Sequence, residues 1–128
     1  VLLRSDDLMH AGTAVPAGGP DTPMADALLE MTRKGLGMTA IVDADQRVTG
    51  IFTDGDLRRA LDEGVDVHAT PIATVMTPAP RCVEAAQLAA EALALMERHS
   101  INGLLVNDAE GRLTGALNMH DLLRGGVV

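Results

Sequence analysis

The stretch Gly50-Ile51-Phe52-Thr53-Asp54-Gly55-Asp56-Leu57-Arg58-Arg59 sets a hydroxyl and a carboxylate three residues apart, just after an apolar run. Two chemistries fit that spacing. In a capping box, the Thr53 side chain accepts from the N–H of residue 56 while Asp56 reaches back to the N–H of residue 53. In a ligand site, the free N–H groups and partial positive charge of a helix start seat an anion. Thr53 then adds a hydroxyl contact, Asp56 suits the vicinal hydroxyls of a ribose, and Gly50 lets the backbone come close. Arg58 and Arg59 are near enough for one of them to balance a ligand's negative charge. The residues alone leave both readings open.

The segment recurs. Residues 26–59 align without a gap on residues 91–124, at an offset of 65, with 12 of 34 positions identical. Among the identities are Met31/Met96, Asp43/Asp108, Thr49/Thr114, Gly50/Gly115, Asp56/Asp121 and Arg59/Arg124. Further upstream, Asp7-Leu-Met-His10 matches Thr74-Val-Met-Thr77 with a two-residue change of offset. The chain is two copies of one unit, and the second carries Asn118 where the first has Thr53.

Each copy must supply the elements that aim these residues. In the first, Asp21 or Thr22 caps a helix with Pro23 at its first position. Met24, Ala27, Leu28 and Met31 form its apolar stripe, and Gly35 ends it. Met38–Val42 reads as a buried strand, Asp43–Gln46 as a turn and Arg47–Phe52 as the returning strand of a hairpin. A helix from about Asp54 to Leu61 follows. In the second copy, helix 86–98, strands 104–106 and 112–117, and helix 119–123 repeat the order. Arg81-Cys82-Val83 reads as a lone strand, with a weaker counterpart near Ala14-Val15. A unit of about 60 residues hides only about 60% of its unfolded surface. Two units packed sheet to sheet about a pseudo-twofold axis remedy this and leave two clefts at the seam. The expected class is α+β, each unit a small mixed sheet with two helices, divided as 1–69 and 70–128.

Composition excludes several functions. A net charge of −8 opposes general nucleic-acid binding and attraction to anionic membranes. Phe52 is the sole aromatic residue, which leaves essentially no aromatic platform for stacking single-stranded bases. One cysteine, Cys82, precludes an internal disulfide and fits a reducing, cytoplasmic setting. His10, His68, His99 and His120 lack close metal-ligand spacing, and no catalytic triad or positioned carboxylate pair is discernible. Asp43–Asp45 and Asn107–Gly111 suggest hairpin turns rather than calcium loops. The opening at Val1, in mid-pattern, reads as the start of a fragment of a longer chain.

Gly50-Ile-Phe-Thr53-Asp-Gly-Asp56, its copy ending Gly115-Ala-Leu-Asn118-Met-His-Asp121, and the preceding DLMH and TVMTP resemble a tandem pair of CBS domains, a Bateman module. Over nearly the whole chain they are similar to the C-terminal region of bacterial D-arabinose 5-phosphate isomerases, the SIS-CBS sugar isomerases. That resemblance implies a non-catalytic regulatory pair that binds a nucleotide, or a nucleotide-sugar such as CMP-Kdo, in clefts between the domains. It implies phosphate contact at Thr53 and ribose contact at Asp56. The candidate ligand-binding set is Thr53, Asp56, His10, Met38, Thr39, Thr77, Asn118, His120 and Asp121. The implied partners are an N-terminal SIS isomerase domain, active in the synthesis of Kdo for lipopolysaccharide, and a second CBS pair in a homodimer within a homo-oligomer. No cofactor is required. The alternative is an assembly module of the same isomerase with vestigial clefts.

Overall fold

The computed structural model describes residues 2–127. The unit read from the repeat appears twice. Strand β1 (Ala17–Gly18), helix α2 (Met24–Lys34), strands β2 (Met38–Val42) and β3 (Val48–Thr53) and helix α3 (Asp54–Asp62) make the first half. Strand β5 (Cys82–Glu84), helix α4 (Ala89–His99), strands β6 (Gly103–Asn107) and β7 (Leu113–Asn118) and helix α5 (Met119–Arg124) make the second. A one-turn helix α1 (Ser5–Leu8) and a short strand β4 (Thr77–Pro78) precede the respective halves.

The sheets run β1-β2-β3-β4 and β5-β6-β7. In each, the hairpin is antiparallel and the outer strand, β1 or β5, is parallel to its neighbour. Cys82–Glu84 is thus no lone strand. Its counterpart is Ala17–Gly18, slightly later than Ala14-Val15, and Ala17 faces Ala40 as Cys82 faces Leu105.

One face of each sheet meets the other sheet, through Val15, Met38, Ala40, Ile51, Leu105 and Ala116. The opposite faces carry the helices, over Ile41 and Phe52 in the first half and Leu104, Val106 and Leu117 in the second. Every residue of β2 is consequently buried, as its unbroken apolar run requires.

The repeated identities now have causes. Each hairpin carries a register shift, between Ile41 and Val42 and between Val106 and Asn107. The hydroxyl of Thr49 donates to the Ile41 carbonyl at 3.2 Å, and that of Thr114 to the Val106 carbonyl at 3.1 Å. Asp43 accepts from the N–H groups of Asp45 and Arg47, and Asp108 from those of Glu110 and Arg112. Both carboxylates stabilise their own turns. The hairpin tips meet on the pseudo-twofold axis, where Arg47 pairs with Arg112. There the Val48 N–H donates to the Gly111 carbonyl and the Leu113 N–H to that of Gln46, each at 2.9 Å.

The segments leading into the halves are exchanged. Residues 2–10 lie on the second half: the N–H groups of Ser5 and Asp6 donate to the carbonyls of Gln87 and Ala85, and His10 bridges to Ala116 beside β7. Residues 70–78 lie on the first half, with β4 against β3. A division at 69/70 follows chain order, whereas the packing crosses it. The exchange also completes the helix starts. Helix α2 begins one residue after Pro23, and its first free N–H groups, at Met24 and Ala25, donate to the carbonyls of Thr70 and Val67 at 2.8 Å. At α4, the Ala89 N–H donates to the Leu3 carbonyl at 2.8 Å. Backbone carbonyls replace the side-chain cap expected from Asp21 or Thr22. Gly35 does end α2, at φ 68°.

Candidate functional site

The strand-to-helix joint at Thr53 forms because β3 ends where α3 must begin, and Asp56 lies one turn into that helix. Its carboxylate points back. One oxygen accepts from the Thr53 N–H at 2.9 Å and from the Thr53 hydroxyl at 3.2 Å. The other accepts from the Thr77 hydroxyl at 2.8 Å and is ion-paired with Arg59. Only half of the expected capping box is present, since the Thr53 hydroxyl turns to the Asp56 side chain rather than to its N–H. Asp56 is 2% exposed and saturated with protein donors.

The second copy repeats this cage with two changes. Asn118 accepts from the Asp121 N–H at 2.9 Å, and Asp121 accepts from the Asn118 N–H at 2.8 Å, a complete reciprocal cap. Arg124 stands where Arg59 stood, and His10 Nε2 lies 2.8 Å from Asp121 Oδ1, in the place of Thr77. Asp121 is 3% exposed. Each acid therefore fastens the leading segment of the opposite half in chain order.

Gly50 and Gly115 serve the same fastening. A Cβ on Gly50 would lie 2.2 Å from Met76 Sδ, and one on Gly115 would lie 2.5 Å from Met9 Sδ. The backbone approach anticipated at Gly50 is thus made by the methionine of the exchanged segment.

Away from the hairpin tips, the two joints open onto one continuous cleft of about 1410 Å³. Matched residues of both halves line it: Leu36 and Ile101, Met38 and Gly103, Thr53 and Asn118, Gly55 and His120. Met38 crosses the floor, its methyl carbon 2.5 Å from where a Gly103 Cβ would stand. Residues 77–81 wall one side through Thr77, Ala79, Pro80 and Arg81. Arg58 and Arg81 face the cleft, and neither is ion-paired among the described residues. His99 lines it too. Loss of water, with Arg81 and Arg98 nearby, holds its pKa below the ordinary histidine value.

Of the candidate ligand-binding residues, Thr53, Met38, Thr77, Asn118 and His120 come together on this cleft. Asp56, Asp121 and His10 lie behind it, in the two cages. Thr39 turns the other way and donates to the Ala27 carbonyl at 3.3 Å in the core. The alternation of strand side chains puts Met38 and Thr39 on opposite faces. The lining also includes Arg81, His99 and Asp54, none of them a candidate contact from the sequence: Asp54 simply follows Thr53 in the chain, whereas Arg81 and His99 are brought to the cleft by the packing of the two halves. Among the described residues, no group of three or more His, Cys, Asp or Glu could hold a metal ion. No helix there is long and apolar enough to cross a membrane.

Comparison with known proteins agrees with this architecture. The CBS domain family model matches residues 13–63 and 72–127. The chain is 54% identical, over all 128 residues, to the arabinose 5-phosphate isomerase KdsD of Pseudomonas aeruginosa, and spans 39% of that protein's length. The CBS domain pair of protein MJ0100, solved with 5-methylthioadenosine and S-adenosyl-L-methionine, superposes with a TM-score of 0.88 at 19% identity, covering 100% of both chains. The CBS domain protein PAE2072 of Pyrobaculum aerophilum, solved with AMP, gives 0.85 at 20% identity, covering 94% of this chain and 90% of that one.

Proposed function

The chain belongs to the CBS domain family, and we propose that it is the ligand-sensing regulatory module of an arabinose 5-phosphate isomerase. In this reading a nucleotide or nucleotide-sugar binds in the cleft and changes how the two halves sit together, and the change passes to an N-terminal SIS domain of the same chain. One observation carries it. In a chain of net charge −8, two unpaired arginines face a cleft that Thr53 and Asn118 line with hydrogen-bonding groups. Like charges left unpaired beside a concave surface favour an anionic occupant. The adenosine-type ligands of the MJ0100 and PAE2072 structures support the nucleotide class. CMP-Kdo is the candidate suggested by the isomerase's place in Kdo synthesis, because it joins a nucleotide to an acidic sugar.

A thermal-shift panel of adenine, guanine and cytidine nucleotides with CMP-Kdo tests the reading. A ligand at 100 times its Kd stabilises by about 2.7 kcal/mol, and the midpoint should rise by several degrees. Asp56→Ala is a poor control here, since it dismantles a cage; Arg58→Ala, on the cleft surface, is the appropriate one. Saturation of Asp56 and Asp121 by protein donors favours a second reading, an assembly module that holds isomerase subunits together as dimers of CBS pairs. If no compound moves the midpoint while sedimentation shows a dimer, that second reading prevails.

A further inference from the structure

The cleft is built from a repeat, yet its charges are not repeated. Arg58, Arg81 and His99 all face it. At the matched positions, Leu123 replaces Arg58 and Pro16 replaces Arg81, in the register set by Ala17 with Ala40 and Cys82 with Leu105. Lys34 replaces His99, and its ammonium is committed to Glu30 at 2.7 Å and to the Val15 carbonyl at 3.3 Å. Pro16 is fully buried and lies outside the cleft, as does Lys34. The lobe beside the Thr53 joint and along the 77–81 wall therefore carries Arg58 and Arg81, with His99 near enough to Arg81 to feel its charge, and one acid, Asp54. The lobe beside the Asn118 joint is lined by Met119 and Leu123, and His120 is the one titratable residue that segment 118–123 contributes to the lining.

Resting on the reading of the cleft as a ligand site, we propose that it takes one ligand per chain in a fixed direction. The ligand's phosphoryl or carboxylate group sits in the lobe of Arg58 and Arg81, and its uncharged part lies toward Met119 and Leu123. Charge-assisted hydrogen bonds need a cation at the anion's end, and only one lobe supplies arginine. The second lobe offers apolar surface and an amide, which suit a base or an uncharged sugar face. The duplicated fold thus yields a single polarised site.

Isothermal titration of the 128-residue chain with AMP, adenosine, CMP and cytidine tests this. At least one nucleotide should bind with one equivalent per chain, and its nucleoside should bind about tenfold more weakly or worse. Arg58→Ala and Arg81→Ala should each weaken the nucleotide by about tenfold and leave the nucleoside unchanged. Arg33→Ala, with the same loss of charge on α2 away from the cleft, should change neither. Circular dichroism checks that each variant folds. Two equivalents per chain, equal affinity for nucleotide and nucleoside, or a nucleotide affinity untouched by both cleft variants overturns the polarity and leaves the site standing. Heat from none of the four probes overturns the site reading and the polarity together.

Discussion

Asp56 and Asp121 occupy one position in two copies of a unit, yet they fasten different parts of the chain. Both are buried, both accept from the N–H three residues back, and both pair with an arginine three residues on. They differ in the remaining partner. Asp56 holds Thr77, in the connection between the halves, whereas Asp121 holds His10, at the end of the segment leading into the first half. Duplication has kept the cage and varied what it grips. The acid that resembles a ligand contact in sequence is, in the folded chain, a clasp between exchanged segments.

The largest expected effect comes from opening that clasp. Asp56→Ala and Asp121→Ala each leave a backbone N–H without its acceptor and release Thr77 or His10, while the freed arginine is already mostly in solvent, so the loss is about 2–3 kcal/mol, set by the orphaned hydrogen bonds. Urea unfolding should show both losses. Hydrogen exchange should separate them: Asp121→Ala should release the His10 amide, which donates to the Ala116 carbonyl at 2.8 Å, and Asp56→Ala the Ala79 amide, which donates to the Thr49 carbonyl at 3.2 Å. Equal exchange at both amides in both variants would show that the cages do not act separately.

A smaller difference lies at the paired glycines. A Cβ on Gly50 meets only Met76 atoms, at 2.2, 2.8 and 3.0 Å, and a flexible side chain can swing aside. A Cβ on Gly115 meets Met9 Sδ at 2.5 Å and also the His10 carbonyl oxygen at 2.8 Å, which is held in a strand pair. Gly115→Ala should therefore cost about 2 kcal/mol and Gly50→Ala about 1 kcal/mol, within the range for overpacking. Adding Met76→Ala should relieve the clash at Gly50, whereas Met9→Ala should not fully relieve the one at Gly115. Thermal unfolding of the four variants ranks them, and a larger loss at Gly50 would contradict the assignment of the carbonyl as the rigid neighbour.

These sites show which parts of the molecule were legible in its residues. Apolar runs located both hairpins and apolar stripes located α2 and α4, because burial leaves a local pattern; α3 and α5 were placed from the repeated joint that follows each hairpin. The aligned Asp43/Asp108 and Thr49/Thr114 were visible as identities, and their reasons are local turns and a register shift. The match of DLMH to TVMT showed that the leading segments were equivalent, but local pattern does not say which half a segment lies on. Thr39 went astray for a related reason: in a strand buried on both faces, composition does not distinguish the two sides. Arg81 and His99 reach the cleft only once two halves are packed, so neither had a sequence signal.

The smallest expected effect concerns another matched pair, Lys34 and His99, at the ends of α2 and α4. Lys34 is paired, and its hydrogen bond holds Glu30 below the ordinary carboxyl pKa of 4.5. His99 has Leu95 in the place of Glu30, and its own pKa lies below 6.5 through loss of water and the nearness of Arg81 and Arg98. Both groups bind a proton less readily when folded, so both contributions are complete above the unfolded pKa and are lost as the pH falls through the folded one. The windows differ: stability tied to His99 fades first, below pH 6.5, and that tied to Glu30 only below pH 4.5. His99→Gln should flatten the decline in urea midpoint between about pH 7 and pH 5 and leave the acid limb intact, whereas Glu30→Gln should do the reverse. An anion in the arginine lobe should draw the His99 pKa upward, so saturating nucleotide should shift the upper window to higher pH in the wild type and in Glu30→Gln alone. Identical pH profiles for wild type and His99→Gln would remove His99 from the charges that the cleft presents.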